Sequence, residues 1–568
     1  MESNCLYIPY EKTGYFSKVV SDYLSGDEQL KPFYQYPVSI EGIKESIHSR
    51  QAFNTNRTLL VQELRKQYQG IVLSPKQELN MELLLSNNVF TVTTAHQPNI
   101  FTGPLYFIYK ILHTIKLARE LSVQVPGNKF IPFYYMGSED ADLEELGYIN
   151  LNGEKLSWQT KQTGAVGRMK VDKAFIKLID VIYGQIGLLS HGEELIDLFK
   201  QSYIEGKTIQ QATLELVNSL FAEFGLLILI PDNAAFKISF NAVVEKELKE
   251  QFSHQAVEET IKELSRHYKV QTGGRETNLF YLLDDKRERI QRIIEEEKVA
   301  IDPVEDPRCK LSDLPKNCCK KNQEPGLTFE VKGPGISKQW CEREILEELN
   351  EFPERFSGNV ILRGVFQETV LPNIAFIGGG GELAYWLELK KVFKAVNVPY
   401  PMLILRNSFL LITPQQQERL TKLGFAPVDL FKGEQQLLTE LVVRESSDTV
   451  HLNGELDKIR EFYQHIKSVA ANVDPTLGTH TEALEAKALK PLHELEKKMI
   501  RAEKRKYAMQ REQIAKLKQE LFPNNSLQER TENFSLYYAL YGKDWLQTIY
   551  SASKGLEQKF AIFTTGEE

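Results

Sequence analysis

The sequence predicts an α/β protein, with a largely parallel sheet, helix-rich insertions and a C-terminal α-helical coiled coil. Two observations carry that expectation. Short runs of strand formers, each closed by loop punctuation, alternate with stretches of helical period. Towards the C-terminus, apolar residues recur at four- and three-residue steps. At 568 residues the chain exceeds what one hydrophobic core organises, so two or more packed units are expected.

Residues 1–85 combine an entry segment with amphipathic helical patterns, in which Leu59, Leu60, Leu64 and Tyr68 fall at turn spacing. Val89, Phe90, Val92 and Thr93 predict a strand, HQPNIFTGP a loop and YFIYKILHTIKLARELS a helix. KFIPFYYM at 129–136 predicts a second strand, closed by the acidic loop GSEDADLEEL. LLILI at 226–230 predicts a third, and NVILR at 359–363, IAFIG at 374–378 and MLILR at 402–406 three more. In such a sheet ligands sit at the C-terminal strand ends. The stretches 160–220 and 240–355 read as helix-rich insertions.

Between 478 and 521, Leu484, Ala488, Leu492, Leu495, Met499 and Ala502 form a heptad seam. It re-phases to Tyr507, Ile514, Leu517 and Leu521, and Pro491 is predicted to start or kink a helix. A seam of this kind pairs with a second copy or folds back as a hairpin. The tail after Pro523 is aromatic enough to pack against the core.

Composition narrows the function classes. With 42% apolar and 26% charged residues the chain reads as globular. No apolar run approaches the roughly 20 residues of a membrane span, and MESNCLYIPYEKTGYF lacks a basic n-region and an apolar h-region, so a cytoplasmic protein without a membrane role is expected. A net charge of -8 gives no overall field for polyanions. The Lys and Arg surplus at 497–506 therefore reads as a solvated coil face, and nucleic acid is not an expected partner. Cys309, Cys318, Cys319 and Cys341 include no CxxC pair, so no zinc is expected, and the thiols read as reduced surface groups.

Three segments hold residues suited to chemistry. In TTAHQPNIFTGPLYFIYK a strand delivers His96, and a Gly-Pro turn precedes a helix. The imidazole and open backbone amides suit an anion, with Gln97, Asn99, Thr102 and Gly103 as neutral contacts. The alternative is a tight turn in which His96 satisfies a buried carbonyl. His113, within the following helix, reads as a packing residue. In GSEDADLEEL, Glu139 and above all Asp140 could hold an amine, hydroxyls or magnesium through its water shell, although an acidic helix start explains much of the charge. In RGVFQETVLPNIAFIGGGGELAYWLELK, Gly379, Gly380 and Gly381 allow close ligand approach, Arg363 could clamp a carboxylate and Glu368 an amine. A glycine turn needed only for helix–sheet packing is the competing account. Arg406, after MLILR, has the same position at a strand end.

These segments, together with LEKKMIRAEKRK in the coil, resemble the bacillithiol biosynthesis cysteine-adding enzymes, the BshC family, in collinear order along the whole chain. Only the cysteine-bearing stretch 302–325 has no counterpart in that pattern. The resemblance implies a Rossmann-like core similar to class I nucleotidyl transferases, two connecting-peptide insertions and a coiled coil that makes a homodimer. The expected division is an entry segment (1–85), core pieces at 86–160, 221–240 and 356–435, insertions at 161–220 and 241–355, coil at 436–522 and tail at 523–568. The implied activity condenses L-cysteine with glucosaminyl malate through an amide to the sugar nitrogen. A carboxylate and an amine do not condense usefully in water, so activation as an acyl adenylate or acyl phosphate makes ATP the expected co-substrate, with magnesium possible. His96 and Asp140 are then the expected catalytic residues, His96 at the phosphates and Asp140 or Glu139 at an amine. Arg363 and Arg406 are the expected partners of malate's carboxylates. The competing functions are an aminoacyl-tRNA-synthetase-like adenylating enzyme with another acceptor and a non-catalytic, nucleotide-binding coiled-coil protein.

Overall fold

The structure is a computed structural model that describes residues 5–270, 273–293, 327–445 and 452–564. The chain divides into two compact units. It opens on a short strand, β1 (Cys5–Ile8), which belongs to the smaller of them.

The larger unit holds residues 16–408 and 529–559. Its centre is a five-stranded parallel sheet built from β2 (Val89–His96), β3 (Lys129–Met136), β6 (Leu227–Leu229), β12 (Asn373–Gly378) and β13 (Met402–Leu405), in the order β13-β12-β2-β3-β6. Strands in the centre of such a sheet are covered on both faces, which is why they read as unbroken apolar runs. Along β2, Phe90 and Val92 enter a core with Ile43, Ile47, Leu117, Leu121, Ile374 and Ile404. Each such side chain contributes about 1.5–3 kcal/mol by burial. The alternate residues Thr91 and Thr93 reach Asn373 Oδ1 on β12, at 3.2 and 2.9 Å. Helix Tyr106–Gln124 is buried along most of its length against β2 and β3. Helix Ile40–Gln51, capped by Ser39, packs on β12.

The segment 359–363 departs from its expected strand. It begins a helix, Val360–Val370, whose first turn is closed by Asn359, the side-chain oxygen accepting from the Ile361 amide. Buried residues at 361, 362, 365, 366 and 370 follow a helical period. Arg363 and Glu368 thus stand on a helix, not at a strand end.

The insertions also differ in kind. After β3 comes a hairpin, β4 (Tyr148–Leu151) with β5 (Glu154–Ser157), and then three helices, Lys173–Ile186, Gly192–Ser202 and Ile209–Phe221. The stretch expected to be helix-rich between 240 and 355 carries a second sheet. Its strands are β7 (Leu279–Leu283), β8 (Lys286–Ile293), β9 (Thr328–Gly333), β10 (Ile336–Cys341) and β11 (Phe356–Gly358). All four pairings, in the order β10-β9-β8-β7-β11, are antiparallel. Asp284 and Asp285 form the two-residue turn between β7 and β8. Cys341 stands before helix Glu342–Glu351, its amide donating to Glu344 Oε2 at 2.9 Å. Cys309, Cys318 and Cys319 lie outside the described residues.

The smaller unit holds residues 1–15, 409–528 and 560–568. It therefore begins at 409, where the sequence reading carried the core to 435, and residues 529–559 of the expected tail count with the larger unit. Its sheet has the order β1-β15-β14, with β14 (Ser408–Ile412) and β15 (Phe560–Thr564). The coil is a helical hairpin within one chain: Asn453–Val473 packs on Thr476–Lys504 across a turn at Asp474 and Pro475. Pro491 lies inside the second helix and does not start it. The break comes instead at Arg505–Tyr507, after which Ala508–Leu521 buries Ile514, Leu517 and Leu521. Among the described residues no helix is long and apolar enough to cross a membrane.

Candidate functional site

A cavity of about 660 Å³ opens in the larger unit at the C-terminal ends of β2, β3 and β12. This is where a parallel sheet offers its strand-end loops. His96, Gln97, Glu139, Asp140, Arg363, Gly379, Gly380, Gly381 and Arg406 all line it, so nine of the expected residues come together from four distant segments.

His96 is the last residue of β2, and its ring is sandwiched by aromatic neighbours. Tyr106 stacks on it with centroids 5.3 Å apart, and Phe107 meets it edge-on. The Nδ1 atom lies 3.0 Å from the Gln97 carbonyl. A carbonyl only accepts, so Nδ1 carries the proton and Nε2 presents a lone pair. Nε2 is buried and has no hydrogen-bond partner. Burial, helped by the Lys110 charge, holds this imidazole well below the ordinary histidine range. The ring is therefore a neutral acceptor, and not the donor to phosphate that the sequence reading expected of it.

Most amides of the loop after His96 are already engaged. Asn99 donates to Gln97 O, Thr102 to Asn99 O, Gly103 to Ile100 O and Leu105 to Glu532 O. The Phe101 amide donates to Tyr203 Oη at 3.0 Å. Three successive residues, Phe101, Thr102 and Gly103, have φ of 46°, 67° and 68°, a left-handed run that costs energy at the two non-glycine positions. It is held by the Phe101 ring among Phe175, Phe199 and Tyr203, and by Asn533 Nδ2, which donates to the Phe101 and Gly103 carbonyls. Asn99, Thr102 and Gly103 are thus structural parts of a folded loop and do not face the cavity, contrary to the expectation of direct contact.

The charges divide into matched and unmatched groups. Lys110, near the start of helix Tyr106–Gln124, donates to the Ala95 carbonyl at 2.7 Å and pairs with Glu382. Glu382 in turn accepts from the Gly379 amide at 2.8 Å, fixing the glycine turn that ends β12. Arg406 pairs with Glu529 at 2.6 Å. Arg363 lies 3.8 Å from Asp140, which also accepts from Gln97 Nε2 at 3.3 Å. Glu139 pairs with Lys237 and accepts from Ser357 Oγ at 2.9 Å. Glu368 contradicts its expected role as a ligand for an amine. It is fully buried against Arg50 at 2.7 Å and accepts from Gln367 and Asn373, away from the cavity. His113 is likewise buried, between the Gly555 carbonyl and the Asn407 amide, as a packing residue should be.

The sequence reading missed most of the wall. Tyr106, Lys110, Tyr135 and Tyr385 come from the core, Arg275, Arg287 and Arg289 from the second insertion, and Arg530 from beyond the coil. In all, seven Lys and Arg side chains face four carboxylates, a surplus of three positive charges. Such a lining selects an anionic ligand. Among the described residues no group of three or more His, Cys, Asp or Glu is arranged to hold a metal ion.

Comparison with known proteins agrees with this architecture. Residues 1–305 and 322–407 match the model of the bacillithiol biosynthesis BshC N-terminal Rossmann-like domain, and residues 409–565 that of the BshC C-terminal coiled-coil domain. The unmatched gap falls within the cysteine-bearing stretch. A protein of Flavobacterium johnsoniae named "Putative cysteine ligase BshC" is 38% identical over 99% of this chain and 100% of its own length. One of Christiangramia forsetii with the same name is 37% identical over 100% of both chains.

Proposed function

The chain belongs to the bacillithiol biosynthesis BshC family, and from that premise we propose that it joins L-cysteine to the amine of glucosaminyl malate, with ATP activating the cysteine carboxylate. It is a ligase of the cysteine-adding type, and the finer reading is supported most by one observation: a neutral His96 with a partnerless Nε2 at the rim of a cationic cavity. The lining fits an anionic co-substrate such as ATP, and ATP when bound supplies the activation that makes the carboxyl carbon electrophilic.

The chain's own residues do the rest. As the sugar nitrogen bonds to the carboxyl carbon it must lose a proton, and His96 Nε2 accepts it while the leaving group departs with its electron pair. Protonated His96 is costly in this buried place, which favours rapid release of the proton. Lys110 and Arg363 balance negative charge on the departing group. Asp140, at the mouth beside Arg363, orients the incoming amine. Magnesium, where present, would be held through nucleotide phosphates and water.

The test is direct. Purified protein incubated with glucosaminyl malate, L-cysteine and ATP should yield the new thiol by mass spectrometry. His96→Ala should lower its rate about 10²- to 10⁴-fold, the range for loss of a general base, with an unchanged circular dichroism spectrum. Undiminished synthesis by that variant removes the assigned role. The homodimer belongs to the same proposal. Phe462, Val469, Leu484 and Leu495 leave apolar surface exposed on the hairpin, which supports pairing with a second copy in solution. Sedimentation equilibrium measures it.

A further inference from the structure

Arg530 aside, the cavity's cations are of two kinds. Those borne by the core each face a carboxylate, as with Lys110 and Glu382, Arg406 and Glu529, and Arg363 and Asp140. Those borne by the second insertion do not. Among the described residues neither Arg275 nor Arg287 has a carboxylate within ion-pair distance.

Arg287 is the more telling of the two. It projects from β8 into the cavity with its guanidinium 3.8 Å from the centroid of the Phe280 ring, on the adjoining strand β7. Its Nε is buried and has no hydrogen-bond partner. Arg289, two residues along β8 and on the same face, approaches that ring from further off at 5.8 Å. An aromatic ring holds a guanidinium in one plane and leaves its edge free to donate. A buried N–H without an acceptor is costly, and one borne by a side chain that lines an open cavity gains its acceptor when an anion binds there. Asp140 and Glu139 act on Arg287 only at longer range, because Gln97, Arg363, Lys237 and Ser357 already engage them.

The bound acceptor must bring two charges as well as an amine. Of the anionic parts in the proposed reaction, the activated carboxyl has to lie near His96 at the strand ends. The anionic end of the acceptor then falls to the wall that the insertion contributes. We infer that Arg287, with Arg275 of the same cavity lining, is the seat of the dicarboxylate arm of the acceptor, an inference that rests on the ligase reading for the identity of that acceptor. Arg406, assigned to malate from sequence, is held by Glu529 and is not free for this task.

Calorimetric titration of the full chain separates the outcomes, because it requires no turnover. The ligands are glucosaminyl malate, its dimethyl ester and magnesium ATP, and the proteins are wild type, Arg287→Gln and Arg287→Lys. The expected result is a roughly 10- to 100-fold weaker Kd for glucosaminyl malate in Arg287→Gln, partial recovery in Arg287→Lys and ATP affinity within about twofold of wild type. The ester should bind wild type weakly and ignore the substitution. Unchanged acceptor affinity overturns the assignment, and so does an equal loss for ATP, which would make the wall a phosphate site. Wild type that binds no glucosaminyl malate overturns it too. If Arg287→Gln fails to fold by circular dichroism, the same criteria are applied to Arg275→Gln. Arginine-dependent acceptor binding without thiol synthesis would sink the ligase reading and keep this one. Thiol synthesis whose acceptor KM ignores Arg287→Gln would do the reverse.

Discussion

Two groups of arginines in the larger unit are buried for different reasons. Arg50 lies under β12, where Glu368 accepts through both its carboxylate and its carbonyl, at 2.7 and 2.6 Å, and Asn373 ties the pair to Thr91 and Thr93 on β2. Arg287 lies on the cavity wall with an aromatic ring beside it and, among the described residues, no carboxylate within ion-pair distance. The first arrangement consumes its charge internally and fixes the register of helix and sheet. The second holds charge in reserve for something that comes and goes. Burial alone thus does not distinguish a structural ion from a functional one; the census of partners does.

The contrast yields graded expectations. Arg50→Met leaves Glu368 buried and uncompensated, and should cost about 3–5 kcal/mol in urea denaturation. Adding Glu368→Leu should recover most of that loss, because the pair can be exchanged for packing. A smaller effect belongs to His113. Burial pushes its pKa down to about 4, so between pH 6.5 and 4 the unfolded chain binds the extra proton and stability falls as pH falls. The window is worth roughly 3 kcal/mol, and His113→Gln should flatten that slope in denaturation curves taken at several pH values. Arg287→Gln should move stability by no more than about 1 kcal/mol, since no carboxylate loses its partner and only the contact with the Phe280 ring is given up. Smallest of all, Lys467→Ala, which breaks the exposed Lys467–Glu482 pair of the hairpin, should stay within about 0.5 kcal/mol by thermal melting.

The core was legible because its strands are uniformly apolar and end in punctuation. Val89–His96, Lys129–Met136 and the runs at 227–229, 373–378 and 402–405 all stand where the pattern put them. The segment 359–363 misled because five residues are too few to tell period 2 from period 3.6. Asn359, a good N-cap residue, was the overlooked signal. The insertion's sheet was hidden by its charge: KRERIQRI alternates, but with arginines where a core strand has valines. The Asp284–Asp285 turn, between LFYLL and that segment, marked a hairpin and would have set Arg287 and Arg289 on one face. Arg530 had no local signal, since only the tertiary path of the chain brings it to the cavity. The closed amides of the HQPNIFTGP loop were equally invisible, because their acceptors include Tyr203 and Glu532.

The order of the sheet carries a consequence for how the molecule comes into being. The central strand β2 must pair with β12, and Thr93 and Asn373, which meet there, are 280 positions apart. On a ribosome adding about 5–20 residues per second, β2 waits roughly 15–60 s for its neighbour to be made. During that interval an apolar strand edge stands open, which makes nascent chains clients for chaperones and slow refolders in the test tube. Arg530 and Glu529 arrive later still, so the wall of the cavity is completed only after residues 409–528 have been made.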